Sequence, residues 1–337
     1  MVTTFSVEKT QNLQISKNNY QHGGGFVVDE IPGLLKVYHN GHVERPQIVP
    51  NVPPNVPSEL GIISRDIVIQ SSSNLWARIY LPTQRRANKL PLLVYFHGGG
   101  FCVGSASWKC YHDFLAELAS KSGCVIMSVN YRLAPENRLP AAYEDGINVV
   151  MWLNNQARNG CSGEHNWWLS HCTLSSIFLA GDSAGANIAH HVATRLESNP
   201  KAIRAKGIIL IQPFTGGETR TNSEKQSIQP YYSALTLSAS DAYWRLALPP
   251  GADRDHPWCN PLSRLTRLPR AMICISELDI MRDRNLDFCA ALASSGTKVE
   301  KVVFQGVGHA FQILHNYPLS QQRTQQMMHY LKVFINS

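Results

Sequence analysis

The run Ser175-Ser176-Ile177-Phe178-Leu179-Ala180-Gly181-Asp182-Ser183-Ala184-Gly185 decides the reading of this 337-residue chain. Its first six residues, apolar from Ile177 on, read as a buried strand, and Ala184 to Leu196 carries helical periodicity. Between them stands Gly-x-Ser-x-Gly. Alone, that string recurs by chance as an unreactive turn. Set between strand and helix, it lifts a serine hydroxyl clear of the sheet on a sharp turn, where flanking side chains would collide with neighbouring backbone. The helix N-terminus beneath it favours negative charge developing there. Ser183 is therefore the candidate nucleophile.

The same alternation extends along the chain from Pro91. Strands are expected at 92–96, 124–129, 175–180, 206–212, 271–276 and 298–304. Between and after them come helices at 108–121, 140–156, 184–196 and 284–294, with a terminal helix after Pro318. Strand–helix alternation of this kind gives an α/β fold with a mostly parallel sheet covered by helices on both faces. Upstream, 65–70 and 75–81 read as strands, and Leu34–Tyr38, Asn40-Gly41 and His42–Arg45 as a β-hairpin. Residues 1 to about 30 read as a loosely ordered arm. The stretch 216–261 interrupts the alternation with one expected helix, Ser238 to Leu248, and reads as a lid or cap above the sheet edge. The expected organisation is one domain over 1–337. Its core is 61–215 and 262–337, residues 1–60 supply an N-terminal arm and a portion of the cap, and 216–261 is the cap insertion.

His97-Gly98-Gly99-Gly100-Phe101 follows the strand ending at Phe96. Consecutive glycines leave backbone N–H groups unobstructed, so the loop suits a developing oxyanion. The expected donors are Gly98, Gly99 and Ala184, the residue after the nucleophile. The identical pentapeptide at His22-Gly23-Gly24-Gly25-Phe26 follows the polar Asn18-Asn19-Tyr20-Gln21 and is read as a plain loop. An acid and a base are then expected, in that order, after later strands. Asp279 follows the strand at 271–276, with Glu277 and Asp283 as rivals. His309 sits in the glycine-flanked loop Gln305-Gly306-Val307-Gly308-His309 after Phe304. His256, His315 and His329 fit less well, lying in the insertion or near the terminal helix. In this reading His309 takes the Ser183 proton, Asp279 orients the imidazole, and an acyl-enzyme follows.

Composition excludes other classes. The net charge of +7 comes from scattered Lys and Arg without interleaved aromatics, so no nucleic-acid partner is expected. The eight cysteines contain no C-x-x-C pair, and no metal or cofactor site is expected. Cys124 and Cys274 lie in apolar runs, where a thiol acts as a small hydrophobe. No stretch approaches the roughly 18 apolar residues of a bilayer span, and no membrane partner is expected. The polar first thirty residues lack the apolar core of a signal peptide, which points to the cytoplasm. Phe101 and Trp244 are candidate wall residues of a substrate pocket, or equally apolar core of the cap. Oligomeric state is not legible.

With those residues in place, the chain resembles plant carboxylesterases of the hormone-sensitive-lipase-like group of α/β-hydrolases. The resemblance rests on HGGGF at 97–101, VNYRLAPENRLPAAYEDG at 129–146, GDSAGANIA at 181–189, the Asp279 loop and GHAF at 308–311. Together they span most of residues 60 to 335, and the arm before residue 30 matches least. The resemblance implies an α/β-hydrolase fold, a cap from the N-terminal segment plus the insertion, and small ester substrates. Within Asn130 to Glu136 the polar residues read as structural. The same family includes dehydratases, cyclases and other lyases of plant specialised metabolism, which use the same site without net hydrolysis, as an alternative activity on a plant metabolite. It also includes gibberellin receptors, which have lost the histidine that this sequence keeps as His309.

Overall fold

In the computed structural model, residues 25–84, 88–158, 163–199, 203–226, 234–315 and 317–337 are described. Near the N-terminus β1 (Val27–Ile31), β2 (Leu35–Tyr38) and β3 (Val43–Glu44) form a small antiparallel sheet. The expected hairpin is its β2–β3 half, closed by Asn40-Gly41 with Gly41 at φ 82°. β1 departs from the loosely ordered arm expected there. Val27, Asp29, Glu30 and Ile31 satisfy backbone groups by pairing with β2, with a register shift at Val28, although only Ile31 is buried. Of the first HGGGF copy, His22 to Gly24 lie outside the described residues. Its Phe26 is exposed and stacks on His39.

The main sheet contains β4 (Ile62–Gln70), β5 (Leu75–Pro82), β6 (Leu90–Phe96), β7 (Val125–Asn130), β8 (Cys172–Asp182), β9 (Ala205–Ile211), β10 (Arg270–Ser276) and β11 (Val299–Phe304). Its order is β11-β10-β9-β8-β6-β7-β5-β4. β6 through β11 run parallel to one another, while β5, antiparallel to β7, and β4 add an antiparallel edge. Burial follows position. β6 is covered on both faces and reads as an unbroken apolar run, whereas edge strand β4 exposes Ile63 and Val68.

The helices are α1 (Lys109–Ser122), α2 (Ala141–Arg158), α3 (Asn166–Leu169), α4 (Ala184–Glu197), α5 (Asn222–Gln226), α6 (Leu237–Ala247), α7 (Arg282–Ser294), α8 (Phe311–Leu314) and α9 (Pro318–Asn336). The expected long helices are all present. α3, α5 and α8, four or five residues each, were not legible because so short a helix shows no period. α1 turns Tyr111, Phe114, Leu115 and Leu118 inward, as its periodicity requires. α4 is small-residue-rich and buried through Ala184–His190, which lets it lie directly against β8, β9 and β6.

Strand order reverses between β6 and β8. β7 lies on one side of β6, and β8 to β11 continue on the other. In such sheets a crevice opens at the carboxyl ends of the strands at this switch point. The loop after β6 begins at His97 and the turn after β8 holds Ser183, so both motifs meet there. Between β9 and β10, α6 covers the first of these loops. The Tyr243 ring occupies the space a side chain on Gly100 would need, which accounts for glycine at that position.

Candidate active site

The turn is built as its sequence requires. β8 ends at Asp182, α4 begins at Ala184, and Ser183 between them adopts φ 53°, ψ −120°. A non-glycine residue held there costs on the order of 1–3 kcal/mol and persists only where its surroundings over-determine it. Here the Ser183 N–H donates to the Ile211 carbonyl at 2.8 Å, and its carbonyl accepts from the Phe214 N–H at 3.0 Å. A Cβ on Gly185 would overlap the Phe96 carbonyl, and one on Gly181 would overlap the backbone of Gly185. Strand, turn and helix approach too closely for any side chain at either place.

His309 bridges the other two candidates. Its Nε2 lies 2.8 Å from Ser183 Oγ and its Nδ1 2.6 Å from Asp279 Oδ2. The remaining Asp279 oxygen accepts the Met281 N–H at 3.0 Å, and all three residues are buried. With Nδ1–H donating to the carboxylate, Nε2 is the acceptor for the serine hydroxyl. The rivals are committed elsewhere. Glu277 accepts the Gly306 N–H at 2.8 Å, and Asp283 accepts the Ser223 N–H at 2.7 Å while pairing with Arg282. His256 Nδ1 accepts the Trp258 N–H within the insertion.

At the oxyanion loop the structure departs from the expected donors. The Gly98 N–H is already engaged, 2.8 Å from Tyr111 Oη and 3.0 Å from Asp182 Oδ1. Gly98 thereby anchors the loop to α1 and β8. Asp182 also accepts the Tyr95 hydroxyl at 2.8 Å and the Tyr111 hydroxyl at 3.0 Å. Burial pushes its carboxyl up to about 6, against these hydrogen bonds, which favour the ionised form. His97 is held neutral by burial, which lowers it to about 4, and its Nδ1–H donates to the Gly98 carbonyl at 2.8 Å. Asp182 was hidden in plain view: it occupies the variable position of the serine motif, which carries no role in the pattern itself.

Phe101 and Trp244 come together, but in packed core. Each is 1% exposed, their rings lie 5.4 Å apart, and Trp244 stacks on Phe214 at 4.6 Å. They tie α6 to the loop after β6, so of the two expected roles the structure favours cap core over pocket wall. The polar residues at 130–136 are structural, as expected. Asn130 accepts Ser105 Oγ and the Ala106 N–H, Arg132 pairs with Asp145, and Glu136 with Arg45. Arg45 also donates to the carbonyls of Cys102 and Ala134. Among the described residues no group of three or more His, Cys, Asp or Glu could hold a metal ion.

A switch-point serine on a strand–turn–helix, with a histidine and a carboxylate from later loops, defines an α/β-hydrolase. Residues 93–313 match the family described as alpha/beta hydrolase fold, and residues 46–135 match the carboxylesterase family. The chain belongs to the plant carboxylesterase, hormone-sensitive-lipase-like group of that fold. It is 48% identical to "Probable carboxylesterase 6" of Arabidopsis thaliana over 97% of each chain, a span that takes in most of the arm. It is 35% identical to a 2-hydroxyisoflavanone dehydratase of Glycyrrhiza echinata, covering 85% of this chain and 90% of that one. Among solved structures, an esterase of Pyrobaculum calidifontis superposes with TM-score 0.69 at 29% identity, over 81% and 85% of the two chains.

Proposed function

We propose that the protein is a serine carboxylesterase that hydrolyses small carboxylic esters through an acyl-enzyme on Ser183. The observation that carries this is the continuous hydrogen-bonded line from Asp279 through His309 to Ser183 Oγ. His309 Nε2 takes the hydroxyl proton as Oγ attacks the ester carbonyl. The tetrahedral oxyanion is received by the N–H groups of Gly99, Gly100 and Ala184. Gly100 replaces Gly98 in this set because the Gly98 N–H is held by Asp182 and Tyr111. Ala184, first residue of α4, has no intrahelical acceptor for its N–H. Imidazolium returns its proton to the leaving alkoxide. Water then attacks the acyl-enzyme with His309 again as base, releasing the carboxylate.

Residues 1–60 and 216–261 act as the cap of a single domain in this reading. Supporting it, α6 is clamped to β1 by Arg245 and Asp29 at 2.6 Å and rests on the oxyanion loop. No helix among the described residues is long and apolar enough to cross a membrane. We place the protein in the cytoplasm, where buried thiols such as Cys274, pushed up to about 12 by desolvation, stay reduced and act as small hydrophobes.

A fluorophosphonate should label Ser183, and p-nitrophenyl esters of short acids should be turned over with an initial burst. Ser183→Ala should abolish labelling and lower kcat by at least ~10⁴-fold. A folded protein that turns over no short-chain ester would sink the assignment. A product of unchanged carbon skeleton, formed by dehydration or cyclisation, would instead place the chain beside the dehydratase relative. Tight ligand binding indifferent to Ser183→Ala would mark a receptor.

A further inference from the structure

Gln212 follows β9, the strand hydrogen-bonded to the nucleophile's own strand, and is wholly buried. Its backbone N–H continues the sheet by donating to the Cys274 carbonyl at 2.8 Å. Its side chain leaves the sheet and touches two loops at once. Nε2 donates to Ser276 Oγ at 2.6 Å, three residues before Asp279. Oε1 accepts the Ala310 N–H at 2.7 Å, one residue after His309. One amide therefore spans the segment that carries the acid and the segment that carries the base.

Backbone conformation points the same way. Gln212 has φ 47° and Ala310 has φ 60°, left-handed values that a residue with a Cβ adopts at a cost. The two strained residues face one another across a single hydrogen bond between buried groups. Strain of this kind survives where the surroundings over-determine it, and it gathers at functional sites. The amide's orientation is also determined. Turned over, Nε2 would oppose the Ala310 N–H, donor against donor.

We propose that Gln212 is a positioning residue for the base: by holding the Ala310 N–H it fixes the His309–Ala310 peptide and keeps Nε2 in line with Ser183 Oγ. It does not touch substrate. The Ser276 bond anchors the amide's far end and is secondary. This inference rests on the triad reading above. Displacing a catalytic group by about 1 Å can cost ~10²-fold in rate, and His309 serves as base in both acylation and deacylation. Loss of the strut should slow both steps alike, so kcat falls while KM stays put.

Gln212→Met keeps length and removes the acceptor. It should lower kcat on p-nitrophenyl acetate by ~10–100-fold with KM within about twofold, and slow fluorophosphonate labelling of Ser183 in parallel. Gln212→Glu, which restores an oxygen toward Ala310, should recover most of that loss. Ser276→Ala, which removes only the secondary bond, should lose less than about threefold. If Gln212→Met does not fold, Gln212→Asn serves in its place, one methylene too short to reach Ala310, with the same expected loss. Overturning results are a Met or Asn variant within threefold of the parent, a Glu variant no better than Met, or Ser276→Ala falling as far as Gln212→Met. A parent protein that labels at Ser183 but hydrolyses nothing would count against the esterase assignment alone, since the labelling rates still read the strut.

Discussion

At the scale of single residues, the most informative group beside the triad is Asp182. Three donors converge on it, from Tyr95, Tyr111 and Gly98, and it anchors the oxyanion loop one residue before the nucleophile. Desolvation dominates its titration, raising it from 3.8 to about 6. A raised folded-state value means a stability contribution that is full below the unfolded value, near 3.8, and is lost as pH rises through about 6. The displacement is worth about 3 kcal/mol. Other groups titrate across the same range, so the comparison must be with Asp182→Asn, which cannot ionise. Urea unfolding of both proteins from pH 4 to 7 should show the variant gaining on the parent by about 3 kcal/mol as pH rises. A pH-independent difference would mean the carboxylate is not desolvated as described. Gln212 belongs to the same scale: each acts on a catalytic group by holding a neighbouring backbone N–H.

At the scale of elements, the tightest constraint is the meeting of β6, β8 and α4. Gly185 lies against the backbone at Phe96 and His97, atoms that belong to a central strand and the start of the oxyanion loop. A flexible side chain could yield to a new methyl group, but this backbone cannot without parting β6 from α4. Gly185→Ala is therefore expected to destabilise by more than about 3 kcal/mol, beyond the usual cost of overpacking, and to abolish Ser183 labelling in any folded fraction. Thermal melting of the purified variant beside the parent checks this. An unchanged melting temperature would show that α4 can move outward.

At the scale of the whole molecule, the segment between β9 and β10 is held to the acid's loop by buried polar contacts. Arg284 of α7 pairs with Glu224 of α5 at 2.8 Å and donates to the carbonyls of Gly216, Gly217 and Thr219. Ser223 Oγ donates to the Ile280 carbonyl, next to Asp279. Both partners of the ion pair are nearly inaccessible, at 8% and 2% exposure. Removing Arg284 leaves the buried Glu224 carboxylate with only the longer contact to Arg220, at 3.8 Å, as its charge partner. Arg284→Met should cost about 3–5 kcal/mol, and adding Glu224→Leu should recover some of it. Denaturant unfolding of the two single variants and the double closes the cycle. Additive losses would show that the pair is not coupled. Asn187 ties the same segment to the nucleophile helix, donating to the carbonyls of Phe214 and Trp258.

Much of this was legible in the amino-acid order. Strand and helix periods, turn glycines and the order of Ser183, Asp279 and His309 are local or sequential properties. They determined the fold class, the long elements and the three residues, Ser183, Asp279 and His309, that the fold brings into one hydrogen-bonded line. β1 was not legible because its polar-flanked residues become a strand only by pairing with β2, and α3, α5 and α8 are too short to show a period. Only the tertiary structure decided which N–H groups of the loop after β6 are already bonded. Whether the Gly98 N–H is available depends on Tyr111 and Asp182 converging on it from α1 and β8. Likewise, whether Phe101 and Trp244 line a pocket or fill core depends on where α6 comes to rest. The Gly181–Gly185 turn itself shows the division. Its string marks a serine on a tight bend, but that no side chain fits there follows from three backbones meeting in space.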